Sequence, residues 1–188
     1  GAAIYATLEK EVVIRDEDKE VEVSTFANTV EELIEEKNIT LDPEDLILPS
    51  LDTKLKEGMR ITIKRAFPVK ITVDGKEIAI KTQPNTVENI LKKAEVSLNE
   101  KDKIQPALSE YISADAEINI VRVNERVTTE IKSIPFETVS RKDYNLPLGE
   151  KKVIQKGEEG QEEVTTIEIL EDGKVVSTTT KSKVIKAP

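Results

Sequence analysis

The sequence predicts an α+β chain that becomes all-β towards its end. Two tandem modules of the order β-β-α-loop-β precede an elongated, thin antiparallel sheet. The first observation behind this prediction is an internal repeat at a separation of 57 residues, as from Lys19 to Lys76. The second is the last third of the chain, where Thr, Val, Glu and Lys alternate and large apolar residues are scarce.

The repeat keeps its register over most of the first two modules. Lys19–Glu31 aligns with Lys76–Glu88 without a gap. The same separation matches further residues, namely Asp45 with Asp102, Pro49 with Pro106, Ile61 with Ile118, and Arg65 with Arg122. These matches predict modules at residues 8–66 and 67–123, which we call repeat 1 and repeat 2, and a third module at residues 124–188.

Each repeat begins with a predicted hairpin. Val12–Ile14 and Val69–Val73 are rich in the β-branched residues that favour strands. In repeat 2 the turn is Asp74-Gly75, which is typical of a type I′ turn because both central positions need positive φ. The acidic run 16–18 occupies the equivalent place in repeat 1. It lacks the glycine that a calcium-binding EF-hand loop needs at its sixth position, so it predicts a turn and not a metal site.

A helix, a loop and a last strand follow in each repeat. Apolar residues at helical spacing predict helices at 29–37 and 86–94. We predict their N-caps at Asn28 and Asn85, since each has a Glu three residues later. The last strands are Met59–Ile63 and Ala116–Ile120. A sheet with one helix in this order is the β-grasp arrangement of ubiquitin-like domains.

The third module is predicted to be strand and turn throughout. Asp172-Gly173 indicates another hairpin turn, and Gly149, Gly157 and Gly160 indicate turns or loops. The predicted strands are Val127–Ile131, Ile134–Val139, Lys151–Lys156, Glu163–Glu171 and Lys174–Lys183. Few large apolar residues are available, so both faces of this sheet should be partly solvated.

Composition excludes several functions. The chain has no His, Cys or Trp, which excludes disulfides, thiol nucleophiles and Ser-His-Asp triads. A net charge of −9 argues against nucleic acid and anionic lipid as partners. No apolar run is long enough for a transmembrane helix. Close carboxylate pairs are inevitable among 37 acidic residues, so they identify no catalytic site. We therefore expect no catalytic residue, no metal and no cofactor.

Few side chains remain as candidates for binding. Tyr144 is an aromatic residue in a polar loop, where it could stack on a sugar ring. The alternative, which we favour on sequence alone, is that Tyr144 folds over its own thin sheet. Phe136 is expected in the core. Arg65 and Arg122 end the last strands of the repeats, where a solvated position is favoured over an ion pair between modules.

The last module resembles the five-glycine (G-five) domain of bacterial surface proteins. The matching residues are Ile134–Thr138, Leu146–Gly149, Val153–Gly160 and Asp172–Val176. Four of the glycines are present, Gly149, Gly157, Gly160 and Gly173, without a clear fifth. Together with Gly75 they form the set of structural glycines. The whole layout is similar to the accessory region of resuscitation-promoting factors and YabE-like wall-lytic proteins of Gram-positive bacteria.

The resemblance implies a non-catalytic, extracellular module of the cell wall or cell surface. It would bind peptidoglycan or another wall polysaccharide through an N-acetylglucosamine-type sugar, with Tyr144, Asn145 and Gln155 as the ligand-binding candidates. It would also position a C-terminal wall-lytic domain and be tethered by an N-terminal membrane segment, and the sequence contains neither the domain nor the segment. It would act beside other wall enzymes.

Two alternatives stay open. One is an extended spacer or protein-docking module without sugar binding, whose exposed strand edges pair with a partner. The other is a β-grasp unit that binds a soluble ligand.

Overall fold

The computed structural model describes residues 8–188 and divides the chain into two compact units. One unit holds the residues through Leu98 together with Lys103–Ile120. The other holds Asn99–Asp102 and Val121–Pro188. Strands dominate both units and the two helices are short, so the prediction of a mostly β chain is confirmed. The three module boundaries given above stay a prediction.

Repeat 1 is a mixed four-stranded sheet with one helix. Its elements are β1 (Lys10–Asp16), β2 (Lys19–Thr25), α1 (Val30–Glu36), β3 (Leu46–Leu48) and β4 (Arg60–Lys64). The strand order is β2-β1-β4-β3. The central pair, β1 and β4, is parallel, and β2 and β3 are added antiparallel on either side.

Repeat 2 has the same arrangement, with the order β6-β5-β10-β8 and a parallel central pair of β5 and β10. Its elements are β5 (Phe67–Val73), β6 (Lys76–Thr82), β7 (Asn85–Thr86), α2 (Val87–Lys93), β8 (Lys103–Gln105), β9 (Tyr111–Ile112) and β10 (Ala116–Val121). The short strands β7 and β9 pair with each other. Their equivalent in repeat 1 is an isolated bridge between Thr29 and Lys54.

The predicted helices are confirmed, but the predicted N-caps are wrong by one residue. Thr29 and Thr86 are the caps, and each has an extended backbone and accepts a hydrogen bond on its hydroxyl oxygen. The donors are the N–H groups three residues on, at 3.2 Å for Glu32 and 3.3 Å for Asn89. Asn28 precedes the cap, and its N–H donates to the Glu32 carboxylate. Thr and Asn both cap helices well, so a neighbouring pair leaves the boundary ambiguous.

Each repeat has its own core between the sheet and the helix. The helices contribute three buried residues each, at equivalent positions of the repeat: Val30, Leu33 and Ile34 in α1, and Val87, Ile90 and Leu91 in α2. The central strands supply Val12, Ile14, Ile61 and Ile63 in repeat 1, and Val69, Ile71, Val73, Ile118 and Ile120 in repeat 2. The predicted apolar face of each helix is therefore the face that packs on the sheet.

Tight turns join the hairpins as predicted. Asp74 and Gly75 have φ values of 54° and 70° between β5 and β6. Asp172 and Gly173 have 48° and 81° in the last hairpin. Glu17 takes the left-handed conformation in the turn of repeat 1, with φ of 53°. Positive φ at these positions matches the right-handed twist of the flanking strands.

The third module is a three-stranded antiparallel sheet in the order β11-β12-β13. The strands are β11 (Val123–Ile134), β12 (Gly160–Glu171) and β13 (Lys174–Lys186). Val123 pairs with Glu171 at one end of the first ladder, and Ile134 pairs with Gly160 at the other. Both outer strands are exposed along most of their length, which agrees with the expected thin sheet.

Two predicted strands of this module are wrong. Ile134–Val139 and Lys151–Lys156 lie largely in a segment without strand structure, residues 135–159, between β11 and β12. Pro135 lacks the N–H that would continue the ladder beyond Ile134. The second stretch has strand propensity, but it pairs neither with β12, which lies between β11 and β13, nor with the outer edge of either of those strands.

Neither helix within residues 8–188 has the length and apolar character needed to span a membrane.

Candidate functional site

Segment 135–159 carries all three predicted ligand-binding residues. Tyr144 is 93% exposed, so the expectation that it folds over its own sheet is wrong. Asn145 follows it in the same turn, and its N–H donates to the Asp143 carboxylate at 2.9 Å. Gln155 is exposed further along the segment. The structure therefore places Tyr144 and Asn145 side by side, with Gln155 elsewhere in the same segment.

Tyr144 lies in the first of two consecutive turns. The N–H of Leu146 donates to the carbonyl of Asp143, and the N–H of Glu150 donates to the carbonyl of Pro147. Gly149 lies in the second turn with φ of 86°, a conformation that side chains rarely adopt. These turns satisfy part of the local backbone hydrogen bonding without strand pairing, and the side chain of Tyr144 is exposed in the first of them.

Apolar side chains are unusually exposed in the same segment. Besides Tyr144, the residues concerned are Phe136, Val139, Leu148, Val153 and Ile154. Phe136 was expected in the core, but 45% of its surface is exposed. Exposed apolar groups close to hydrogen-bonding groups are typical of surfaces that contact a ligand or partner.

Two glycines in this module are required by close approach. A Cβ on Gly157 would lie 2.3 Å from the ring of Phe136. A Cβ on Gly160 would lie 2.5 Å from the carbonyl oxygen of Lys186. Gly160 is buried and opens β12, whereas the sequence suggested a turn there. Only a residue without a side chain lets β13 approach at this point.

The three-stranded sheet of this module has almost no core. Within residues 121–188, all of which the structure describes, Val164 is the one hydrophobic side chain that is fully buried, at 8% exposure. Cross-strand partners supply contacts on the faces instead. Arg126 pairs with Glu168 directly across β11 and β12, at 2.9 Å. Hydrogen bonding to Glu168 raises the pKa of Arg126.

A buried carboxylate stabilises the end of β4 in repeat 1. The Asp45 side chain is 1% exposed and accepts from the Arg65 guanidinium at 3.0 Å. It also accepts from the backbone N–H groups of Ala66, at 2.7 Å, and of Asp42, at 2.8 Å. Arg65 makes a second, two-pronged pair with Asp16. The expectation of a solvated strand end is therefore wrong for Arg65.

The equivalent carboxylate in repeat 2 makes the same set of hydrogen bonds. The Asp102 side chain is fully buried and accepts from Arg122 at 2.8 Å. Its other donors are the N–H groups of Val123, at 3.0 Å, and Asn99, at 2.8 Å. Arg122 is thus ion-paired within the second unit and mostly buried, so the expectation of a solvated strand end is wrong here too. We call each such arrangement a carboxylate clamp.

The clamps change the titration of their members. Burial alone would raise the pKa of Asp45, but the backbone N–H donors and the Arg65 guanidinium outweigh it and lower the pKa. The same balance lowers the pKa of Asp102. Hydrogen bonding to Asp16 raises the pKa of Arg65. Both carboxylates are therefore held in the charged form, which suits a structural role better than proton transfer.

Sequence reasoning matched Asp45 to Asp102 and Arg65 to Arg122, but did not connect the two pairs. The repeat itself carried the signal, since an acid and an arginine recur together at an invariant separation. Within residues 8–188, no three acidic side chains gather closely enough to hold a metal ion.

Comparison with known proteins identifies three segments. Residues 125–188 match the family model of the G5 domain. Residues 12–52 and 69–109 each match the G5-linked ubiquitin-like domain. The three matches fall in the order that the sequence predicted.

Two relatives share parts of this arrangement. YabE of Bacillus subtilis (strain 168), named a proposed cell wall shaping protein, is 34% identical over 118 residues, which are 63% of this chain and 29% of YabE. The resuscitation-promoting factor Rpf2 of Corynebacterium glutamicum is 25% identical over 241 aligned positions, which cover 98% of this chain and 64% of Rpf2. The chain thus spans less than two thirds of the length of either relative.

Proposed function

Because the chain combines two G5-linked ubiquitin-like domains with a G5 domain, we propose that it is a non-catalytic accessory region of a cell-wall protein. It acts outside the cell, at the wall or cell surface, and it binds peptidoglycan through an N-acetylglucosamine-type sugar. In the intact protein it positions a wall-lytic domain that follows it, and a membrane segment that precedes it provides the tether. The names of the two relatives support the association with the wall.

One observation carries the sugar-binding proposal, namely the exposure of Tyr144 in the turn between Asp143 and Leu146. A free aromatic face stacks on the apolar face of a sugar ring, and its hydroxyl reaches a sugar hydroxyl. The side chains of Asn145 and Gln155 supply the amide donors and acceptors that orient sugar hydroxyls. An uncharged saccharide also suits a chain of net charge −9 better than a polyanion does.

Each repeat is further proposed to be a β-grasp module, and the boundaries 8–66, 67–123 and 124–188 to mark three modules. A mixed four-stranded sheet with a parallel central pair and one helix on its inner face supports the assignment. The clamps support the boundaries, because the acid of each clamp binds the backbone N–H immediately after its arginine.

Retention of the chain on purified, insoluble peptidoglycan tests the proposal. We expect wild type and Tyr111→Ala to be retained, and Tyr144→Ala to be lost to the supernatant. Tyr111 is the matched control, since it is also an exposed tyrosine but lies in repeat 2. Addition of N-acetylglucosamine oligomers should shift the amide resonances of segment 135–159. Equal retention of both variants, or oligomer shifts confined to the repeats, would contradict the assignment of the site.

A second candidate function is a spacer or docking module without sugar binding. The long, exposed outer strands β11 and β13 favour it, because free strand edges are available to a partner strand. No retention on peptidoglycan and no oligomer shift would support this candidate.

A further inference from the structure

The two repeats contact each other through a small polar surface, which we call the joint. On repeat 1 it comprises the side chains of Asp42 and Glu44 and nearby backbone carbonyls. Lys81 Nζ of repeat 2 lies 2.5 Å from Asp42 Oδ2. Lys93 Nζ pairs with the Glu44 carboxylate. All of these residues belong to the same compact unit.

Gln83 anchors the joint through backbone groups. Its side-chain amide donates to the carbonyl of Glu44 and to the carbonyl of Lys64, each at 2.9 Å. Lys93 also donates to the carbonyl of Lys81 at 3.2 Å. The Lys93 ammonium group therefore has a partner in its own repeat as well as the Glu44 carboxylate of repeat 1. The joint thus combines a fixed point at Gln83 with two ion pairs beside it.

The internal repeat shows which residues are special to this contact. The donors Lys81, Gln83 and Lys93 of repeat 2 correspond, at a separation of 57 residues, to Ser24, Phe26 and Glu36 of repeat 1. The acids Asp42 and Glu44 of repeat 1 correspond to Asn99 and Lys101 of repeat 2. Both sides of the joint therefore change between the copies, while the clamps are kept.

These differences in charge between the two repeats determine which modules can contact each other through the joint. If two copies of repeat 1 met through the same surfaces, Glu36 would face Glu44. If two copies of repeat 2 met, Lys93 would face Lys101. In each case neither ion pair of the joint forms: one is replaced by a contact between like charges, and the other loses one of its two charged partners.

We propose that the joint is a selective docking surface between unlike repeats. The loop of repeat 1 that carries Asp42 and Glu44 binds a module with lysines at the positions of Lys81 and Lys93. Neither repeat binds a second copy of itself through this surface. Gln83 sets the position, because it binds backbone carbonyls, and the charges set the choice of partner. The two repeats consequently keep one mutual orientation in solution, in the order in which the chain contains them.

Distance measurement between two spin labels on the full chain tests this proposal. The chain has no cysteine, so labels can be attached at Asp18→Cys in repeat 1 and Asp115→Cys in repeat 2, both of which are exposed. We expect a single narrow distance distribution. Glu44→Lys should destroy that narrow distribution, because Lys93 would then face a like charge. Gln83→Ala should broaden it as well.

Charge exchange provides the decisive comparison. Adding Lys93→Glu to Glu44→Lys restores an opposite-charge pair and should restore the narrow distribution. Lys70→Glu is the control, since Lys70 pairs with Glu77 and Glu117 inside repeat 2. This variant should leave the distance distribution between the labels unchanged. Circular dichroism confirms that every variant is folded. A broad distribution in the wild type, a narrow one in Glu44→Lys, or no recovery in the double variant would overturn the proposal.

Discussion

The repeats and the sheet of β11–β13 are stabilised in different ways. Each repeat packs a helix on one face of its sheet and buries a cluster of aliphatic side chains. The β11–β13 sheet has two solvated faces, and Val164 is the one buried hydrophobic side chain among residues 121–188. Its ladders are much longer, with twelve register pairs between β11 and β12. Backbone pairing and cross-strand contacts therefore replace a core in the third module.

This difference explains where the chain can display a binding segment. The repeats also expose apolar side chains, Phe26 and Tyr111 among them, but there the buried apolar side chains outnumber the exposed ones. In the third module this ratio is reversed, and segment 135–159 leaves Tyr144 and its apolar neighbours in solvent. The repeats supply a defined framework, and the third module supplies accessible surface.

The largest expected effect is on the core of a repeat. Leu33 is fully buried between α1 and the sheet. Leu33→Ala should lower the free energy of unfolding of repeat 1 by about 2–5 kcal/mol, because it leaves a cavity. Val164→Ala in the third module should cost less, since it removes fewer atoms and its neighbours are partly solvated. Amide hydrogen exchange, read separately for the two units, measures both changes. A larger effect at Val164 would contradict the comparison.

A smaller effect is expected at the carboxylate clamp of repeat 1. Asp45→Asn removes a charged acceptor from three donors and should cost about 1.5–3 kcal/mol at pH 7. The pKa of Asp45 is lowered in the folded chain, so its contribution is complete above about pH 4, near the unfolded pKa. It is lost as the pH falls through the folded value.

Urea unfolding at pH 7 and at low pH checks this linkage. The stability difference between wild type and Asp45→Asn should shrink on acidification. Asp115→Asn is the control, since Asp115 is an exposed loop residue, and it should show no such dependence. A difference that stays constant with pH would mean that the clamp acts through shape and not through charge.

Much of the fold of the repeats could be predicted from the sequence, because its signals are local. Asp-Gly turns need positive φ, and apolar residues at helical spacing mark the buried face of α1 and α2. The predictions failed where the structure of a segment depends on whether another strand pairs with it. Strand propensity at Lys151–Lys156 produces no strand, because this stretch pairs with none of the three strands of its sheet.

The site was less predictable than the fold. The scarcity of apolar residues predicted the thin sheet, but the exposure of Tyr144 depends on tertiary packing around its loop, which residue types alone do not show. Arg65 and Asp45 are separated along the chain and meet only because β4 ends beside the 42–45 loop. The joint was missed for the same reason, although the exchange of Glu44 for Lys101 was visible once the repeats were aligned.

The third prediction concerns close packing of strands in the third module. Gly160→Ala would place a Cβ 2.5 Å from the carbonyl oxygen of Lys186. Backbone atoms cannot swing aside, so we expect a loss of about 1–3 kcal/mol and weaker exchange protection in β12 and β13. Gly157→Ala is the paired test. It meets the half-exposed ring of Phe136, which can rotate away, so its cost should be lower. The reverse order would mean that the ring of Phe136 is fixed.

The smallest expected effect is at the cross-strand pair of Arg126 and Glu168. Its size separates the contribution of side-chain pairs to the stability of the sheet from that of the backbone ladders. The pair is bidentate but partly solvated, with side-chain exposures of 56% and 21%. A double-mutant cycle with Arg126→Ala and Glu168→Ala should give a small favourable coupling, because the arginine is largely solvated, and added salt should reduce it further. A similar cycle at Lys70 and Glu117 in repeat 2 is the reference. If the Arg126 coupling equals that reference, surface pairs contribute alike in both regions, and the stability of the coreless sheet comes from its backbone ladders. A coupling several times larger would instead assign that stability to its side-chain pairs.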